Sequence, residues 1–171
     1  YDPGSVWKIV TALAGLESGK FPSSTVLETK PCIKYGSQCF REHNDLGFGR
    51  IGYEDALRVS SNTFFYQIGY GVGVDEIYDV SKKLGFAKLS GIEISEQENL
   101  GLVASSKWAN EGRGWGRPGR TPWVPEDIAS MSIGQSVVQV TPIQIAREYA
   151  AIANGGYLIT PHISKIEGES L

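Results

Sequence analysis

A serine and a lysine, Ser5 and Lys8, stand three residues apart in a segment whose apolar spacing predicts a helix. At this spacing both side chains lie on one face of a helix. A serine hydroxyl becomes a good nucleophile when a base takes its proton, and a lysine serves as that base if burial keeps its amine neutral. The free N–H groups at a helix start also suit a developing oxyanion. The alternative is a helix cap beside a surface lysine, because such a tetrad arises by chance on the order of once in a chain of this length.

A second polar group, Ser60-Ser61-Asn62, lies between two predicted helices. In a cleft, Ser60 can relay a proton to a leaving group, and the Asn62 amide can hold the backbone of an acyl substrate. The alternative is a capping turn, since Ser and Asn are preferred residues at that position.

The order of these motifs resembles that of the penicillin-recognising serine enzymes, in which Ser-x-x-Lys precedes Ser-x-Asn. Further segments are similar to the class B penicillin-binding proteins, and within them to the elongation-type penicillin-binding protein 2. These segments are Tyr1-Asp2-Pro3-Gly4-Ser5, Thr11-Ala12-Leu13-Ala14-Gly15-Leu16-Glu17, Asn62-Thr63-Phe64-Phe65-Tyr66-Gln67, Ser132-Ile133-Gly134-Gln135, Val140-Thr141-Pro142-Ile143-Gln144-Ile145-Ala146 and Ala153-Asn154-Gly155-Gly156. The resemblance covers about residues 1–162.

The resemblance implies a peptidoglycan D,D-transpeptidase of cell-wall synthesis. Ser5 is expected to attack the penultimate D-Ala carbonyl of a stem peptide, with Lys8 as base, Ser60 as proton relay and Asn62 as a substrate-binding residue. β-Lactams mimic D-Ala-D-Ala and would trap Ser5 covalently. The implied partners are stem peptides and β-lactam antibiotics and, through a full-length parent, a glycosyltransferase and elongation-complex proteins. The implied place is the periplasmic face of the inner membrane, with an anchor outside this chain and no cofactor.

The fold that the resemblance implies is α+β, of the β-lactamase and transpeptidase type. The family's third motif, Lys-Thr-Gly or Lys-Ser-Gly on a sheet edge, does not occur in the sequence. We therefore expect residues 1–171 to be a partial transpeptidase domain, without the early sheet strands and the C-terminal Lys-Thr-Gly segment. The helical part should dominate, most of the central sheet should be absent, and the chain alone should have little activity.

Apolar periodicity and breakers predict the local elements. Helices are predicted over residues 5–18, 53–59, 62–69, 74–84 and 142–153, the last with Thr141 as its cap and Pro142 at its first position. A short strand is predicted over residues 157–166. Residues 21–48 should form a surface excursion with short extended pieces, and residues 105–125 a long loop.

Two cysteines, Cys32 and Cys39, lie in a segment with loop-like composition. A disulfide and a pair of free thiols are equally compatible with the sequence. A cysteine zinc site is less favoured, because His43 is the only nearby histidine. Some penicillin-binding proteins 2 bind zinc through a His and a Cys, but the aligned positions here are Phe48 and Ser61, so the resemblance implies no metal. Ser136 stands where relatives commonly have Gly.

The composition argues against some classes of partner. A net charge of −3 and a pI near 5.4 provide no basic surplus for nucleic acid. No stretch approaches the roughly 18 consecutive apolar residues of a membrane helix. The first residues also lack the basic-then-apolar layout of a signal peptide.

The segment 105–125 is rich in tryptophan and arginine: Trp108, Trp115, Trp123, Arg113, Arg117 and Arg120. These side chains could line a groove for an anionic peptidoglycan strand or bind a partner protein. We favour the simpler interpretation, a loop whose charges are solvated.

Three other functions share the motifs or the fold. A serine β-lactamase or a β-lactam sensor uses the same first two motifs, and only Glu93 and Glu96 are weak candidates for a lactamase's water-activating base. A non-catalytic scaffold would have no need to keep Ser5, Lys8, Ser60 and Asn62 together, so we favour the transpeptidase.

Overall fold

The computed structural model describes residues 1–111 and 123–164 of the chain. Helices dominate these residues. They are a 3-10 turn at Gly4–Trp7, α1 (Lys8–Glu17), α2 (Tyr53–Arg58), α3 (Asn62–Val72), α4 (Val74–Lys83), a 3-10 turn at Ser95–Gln97, α5 (Ser106–Asn110), α6 (Pro125–Ser132) and α7 (Pro142–Ala153).

The strands are short and pair only two by two in the described part of the chain. They are β1 (Val26–Thr29), β2 (Cys32–Tyr35), β3 (Gln38–Arg41), β4 (Gly49–Gly52), β5 (Leu102–Val103) and β6 (Val138–Gln139). All pairs, β1 with β4, β2 with β3 and β5 with β6, are antiparallel. The described residues thus contain no large central sheet, as the sequence predicted.

Helix α1 lies at the centre of the core. One side of it, with Val10 and Ala14, packs into a cluster that includes Ile77 and Phe86. Ala12, on another side, packs into a second cluster around Phe64, Phe65 and Ile68. Because α1 is buried on more than one side, the residues at its start are held in one position relative to α3 and α4.

The predicted helices over residues 53–59, 74–84 and 142–153 are confirmed to within a residue at each end. Helix α7 begins as expected: the Thr141 side chain accepts a hydrogen bond from Gln144 N, and the Gln144 side chain accepts one from Thr141 N. Helix α3 runs to Val72, beyond the predicted end at residue 69, because Gly73, with φ +90, ends it instead.

The first helix does not begin as a regular α-helix at Ser5. Gly4 has a φ of +60, and residues Gly4–Trp7 form a 3-10 turn before α1 starts at Lys8. The turn is tied across the molecule, since Gly4 N donates a 2.9 Å hydrogen bond to Gly134 O.

The predicted strand over residues 157–166 is wrong for residues 157–164, and residues 165–166 lie outside the described residues. A strand needs a neighbour to receive its backbone hydrogen bonds, and none pairs with this segment in the part described. The Ile159 carbonyl instead accepts a hydrogen bond from Arg147 Nε.

The short extended pieces predicted within residues 21–48 are confirmed as β1, β2 and β3. The predicted loop over residues 105–125 contains more structure than expected, because it includes the short helix α5. Helix α6 had no counterpart among the predicted helices. It buries Ala129 and Met131, and Pro125 with Glu126 and Asp127 at its start are local signals of a helix that the sequence analysis did not use.

No helix in residues 1–111 and 123–164 has both the length and the apolar character that crossing a membrane requires.

Candidate active site

Lys8 is the centre of a buried polar cluster. Its side chain is only 1% exposed, yet Nζ donates hydrogen bonds to three oxygen atoms: Ser60 O at 2.6 Å, Ser60 Oγ at 2.9 Å and Asn62 Oδ1 at 2.7 Å. The two motifs singled out in the sequence are therefore in direct contact.

The environment of Lys8 favours the neutral amine. Burial lowers the pKa of Lys8 to about 8, and the negative charge of Glu42 opposes part of that shift. At this pKa about a tenth of the lysines are neutral at neutral pH, compared with less than about a thousandth for an ordinary lysine. Lys8 thus meets the requirement for a base near physiological pH.

Ser5 lies on the 3-10 turn that precedes α1 and is exposed to solvent. Side chains three residues apart eclipse one another in 3-10 geometry, so Ser5 and Lys8 project to the same side of the chain. The Ser5 hydroxyl makes no hydrogen bond to another described residue, which leaves it accessible to a substrate.

The segment around Gly134 supports this turn from the other side. Besides the bond between Gly4 N and Gly134 O, Thr11 Oγ1 donates a 2.8 Å hydrogen bond to Ser132 O. Gly134 has a φ of +71, and a Cβ there would lie 2.5 Å from Trp7 Cβ. A side chain at this position would therefore displace the turn that carries Ser5.

Ser60, Ser61 and Asn62 form a turn in which neighbouring residues make different contacts. Ser60 has a φ of +55, a strained conformation for a non-glycine residue. Ser61 is the N-cap of α3, and its side chain accepts a hydrogen bond from Phe64 N. The capping interpretation is thus correct for Ser61, while Ser60 and Asn62 contact Lys8.

Glu42 was not singled out from the sequence and is the main addition to the site. It is 1% exposed and follows β3 directly. Its carboxylate accepts hydrogen bonds from Ser61, Asn62 and Thr63. Burial alone would raise the pKa of Glu42, but these hydrogen bonds outweigh it and lower the pKa to about 2. Glu42 is 19 residues from Ser61 along the chain, so no local pattern indicates the contact.

The hairpin of β2 and β3 brings Glu42 to the site. Cys32 and Cys39 form a disulfide within it, which decides between the two alternatives that the sequence left open. Its aromatic face packs on α3: the Tyr35 ring stacks on Tyr70 at 4.3 Å, and Tyr35 Oη donates a 3.1 Å hydrogen bond to Tyr66 O.

The two positions aligned with zinc ligands in some relatives have other contacts here. Ser61 donates a hydrogen bond to Glu42, and the Phe48 ring lies 5.4 Å from the His43 ring. Among residues 1–111 and 123–164, no three His, Cys, Asp or Glu side chains are grouped closely enough to hold a metal ion. The expected absence of a metal stays a prediction.

The remaining candidates lie apart from the Lys8 cluster. Glu93 hydrogen bonds to Ile163 N and to Ser164, and Glu96 is exposed on a 3-10 turn. Ser136 has a φ of +63, a conformation that glycine adopts without strain.

The tryptophan- and arginine-rich segment is only partly described. Trp108 and Trp123 are partly buried and pack against the core cluster that contains Trp7. Arg113, Trp115, Arg117 and Arg120 lie outside the described residues.

The chain matches the model of the penicillin-binding protein transpeptidase domain over residues 1–169. It is 32% identical to the peptidoglycan D,D-transpeptidase MrdA of Haemophilus influenzae, across 100% of this chain and 26% of that protein. The chain thus spans about a quarter of the length of its curated relatives.

Two solved structures are similar in fold. Penicillin-binding protein 2 (PBP2) of Pseudomonas aeruginosa gives a TM-score of 0.84 at 31% identity, covering 95% of this chain and 36% of that one. Helicobacter pylori PBP2 in complex with MreC gives a TM-score of 0.87 at 27% identity, covering 99% of this chain and 30% of that one. These matches confirm the expected α+β, transpeptidase-like fold with the helical part dominant. The chain belongs to the family of penicillin-binding protein transpeptidase domains.

Proposed function

We propose that this chain carries the acylation machinery of a peptidoglycan D,D-transpeptidase. One observation supports this most directly: the buried amine of Lys8 is bound to Ser60 and Asn62, three residues after an exposed Ser5. A scaffold has no physical need for a buried lysine whose pKa is lowered to about 8, because burying the amine has a cost in stability.

In the proposed reaction, neutral Lys8 takes the proton of the Ser5 hydroxyl as Ser5 Oγ bonds to the carbonyl carbon of the penultimate D-Ala. The bond to the terminal D-Ala then breaks, and that amine leaves with a proton passed from Lys8 through Ser60, 2.9 Å away. The product is an acyl-Ser5 ester. The amine of a second stem peptide attacks the ester, forms the cross-link and returns Ser5 to its hydroxyl form.

β-Lactam antibiotics would enter the same pathway, because their strained amide takes the place of the D-Ala-D-Ala bond. Ring opening keeps the leaving amine attached to the acyl group, so it remains near the ester. We propose that Asn62 donates from its amide nitrogen to the backbone of either acyl donor, while its oxygen accepts from Lys8.

The wider setting is also a proposal, since the chain spans about a quarter of its relatives' length. We place the parent protein in the periplasm, anchored to the inner membrane, with the sheet strands and a Lys-Thr-Gly segment supplied by the rest of a longer polypeptide. A related PBP2 structure is a complex with MreC, and another similar structure is a peptidoglycan synthase complex that coordinates polymerization and crosslinking. We infer partners of the same kinds for the parent of this chain.

The test is covalent labelling with a fluorescent penicillin in the complete polypeptide that contains this chain, with intact-mass analysis to locate the adduct. We expect one adduct at Ser5, none in Ser5→Ala, and normal labelling in Ser24→Ala, a control at another exposed serine. A stable adduct in Ser5→Ala would contradict the nucleophile assignment.

The lifetime of the adduct separates the alternatives. A transpeptidase or a β-lactam sensor keeps the acyl group, whereas a β-lactamase releases it rapidly. Transfer of the acyl group of a D-Ala-D-Ala peptide to an added amine, with release of the terminal D-Ala, separates the transpeptidase from the sensor. No labelling of the complete polypeptide would favour the scaffold.

A further inference from the structure

Glu42 contacts the active-site turn through both of its carboxylate oxygens. Oε2 accepts from Ser61 Oγ at 2.5 Å, Thr63 Oγ1 at 2.7 Å and Thr63 N at 3.1 Å. Oε1 accepts from Asn62 N at 2.7 Å and from His43 N at 3.1 Å. Each oxygen is therefore surrounded by donors and fixed in direction.

A carboxylate suits this position better than a neutral group. The N–H groups of Asn62 and Thr63 are at the start of α3, where no preceding turn supplies acceptors. The positive end of the helix dipole also favours a negative charge there. A glutamine would meet this set of donors with one oxygen and one NH₂ group, which cannot accept.

The same contacts determine where the groups that bind Lys8 lie. Asn62 is held at its backbone nitrogen by Glu42, and its side-chain oxygen accepts the hydrogen bond from Lys8 Nζ. Ser61 is held through its hydroxyl, and Ser60, which precedes it, accepts from Lys8 through both its carbonyl and its hydroxyl oxygen. Glu42 thus hydrogen bonds to Asn62 itself and to Ser61, the residue next to Ser60, so it contacts the turn at or beside every residue that binds the buried amine.

Glu42 also acts on Lys8 through its charge. Its negative charge favours the cationic form of Lys8 and opposes the effect of burial on the lysine pKa. Lys8, His43 and Tyr66 are the titratable groups that face the carboxylate. The His43 ring is nearly half exposed, so water screens its interaction with the buried Glu42 carboxylate.

We propose that Glu42 is a positioning residue for acylation, which holds the Ser60-to-Asn62 turn against Lys8. This inference rests on the proposed function, because it assigns Glu42 a role in the same reaction. A purely structural residue would affect stability and leave the kinetics of the folded enzyme unchanged.

The kinetic test compares Glu42→Gln and Glu42→Asp in the complete polypeptide, by the second-order rate constant of acylation across pH. Glu42→Gln should slow acylation by about tenfold to hundredfold, since hydrogen bonds to a charged group are lost. The midpoint of its pH profile should move to lower pH, because a negative charge near Lys8 is gone. Glu42→Asp should retain the wild-type midpoint with a smaller loss of rate, because the charge is kept.

Glu98→Gln is the matched control. Glu98 also accepts backbone hydrogen bonds, from Ser90 N and Gly91 N, but it lies outside the Lys8 cluster. This variant should keep both the rate constant and the midpoint. A Glu42→Gln protein that loses only thermal stability and acylates with wild-type rate and midpoint would overturn the proposal.

A second measurement does not depend on acylation. Hydrogen exchange of the Asn62 and Thr63 amides should speed up in Glu42→Gln, and the Lys8 ammonium group, followed by NMR, should titrate at lower pH than in the wild type. Unchanged exchange and titration would overturn the positioning role even if Ser5 is the nucleophile.

Conversely, absence of any wild-type adduct would disprove the proposed function, while exchange and titration would still decide whether Glu42 holds the turn. If Glu42→Gln does not fold, the same measurements on Glu42→Asp decide the question, because its shorter side chain should still speed exchange.

Discussion

Lys8 Nζ lies 2.9 Å from Ser60 Oγ, although the two residues are 52 positions apart in the chain. The contact forms because α1 packs directly on α3, where the Phe65 ring lies 6.0 Å from the same nitrogen. An apolar neighbour on one side and oxygen acceptors on the other keep the amine hydrogen-bonded but poorly solvated.

The rate of acylation should depend on the ionisation of Lys8. Because only the neutral amine takes a proton, the second-order rate constant with a penicillin should rise with pH and reach half its maximum near the pKa of about 8. Stopped-flow labelling across pH measures this profile. A rate constant that is independent of pH around this value would mean that Lys8 is not the base.

Ser60 and Ser61 should differ in what their substitution affects. Ser60→Ala removes a hydroxyl that contacts Lys8, so acylation should slow by roughly a hundredfold with little change in stability. Ser61→Ala removes both the N-cap of α3 and a buried hydrogen bond to the Glu42 carboxylate, so it should cost about 2–4 kcal/mol of unfolding free energy. Urea denaturation and acylation kinetics on both variants measure the contrast. Equal losses of activity and stability in the two variants would contradict the division of roles.

The disulfide should stabilise the hairpin that carries Glu42. Replacing Cys32 and Cys39 with serine should cost about 2 kcal/mol, as expected for a short closed loop. Reductant should produce a similar loss in the wild type and none in the double variant, which serves as the control. The measurement is chemical denaturation with and without reductant, and a wild type indifferent to reductant would contradict the prediction.

Glu148 should make stability depend on pH. It is fully buried, neither carboxylate oxygen has a hydrogen-bond partner among the described residues, and burial raises its pKa to about 8. The unfolded chain loses this proton near the ordinary carboxyl pKa. Burying the neutral carboxyl therefore contributes to the free energy of unfolding in full below about pH 4. This contribution is lost as pH rises through about 8, and the total loss is up to about 5 kcal/mol.

Glu148→Gln removes this titration. Its melting temperature minus that of the wild type should grow as pH rises from about 5 to about 9, because only the wild type must bury a charge. Glu96→Gln, at an exposed position, should show no such trend. A constant difference for Glu148→Gln would mean that another group in the complete polypeptide pairs with the carboxylate.

Local sequence was sufficient for several elements. Helix α7 follows from Thr141, Pro142 and Gln144, whose hydrogen bonds join atoms at most three residues apart. Helices α2 and α4 could be predicted from the spacing of apolar residues within each segment. In the candidate site, the residue types of Ser5, Lys8, Ser60 and Asn62 and their order were enough to suggest the chemistry, because the spacing of each pair is itself local.

Contacts between distant segments of the chain could be identified only from the folded structure. The partners of Glu42 and the absence of a strand over residues 157–164 depend on packing between segments far apart in the chain, whereas the pairing of Cys32 with Cys39 forms within the β2–β3 hairpin. The sequence determined which side chains could act as nucleophile, base and relay. Only the tertiary structure decided that Lys8 is buried against Ser60 and that Glu42 holds the turn, because desolvation and charge depend on neighbours that a single sequence does not specify.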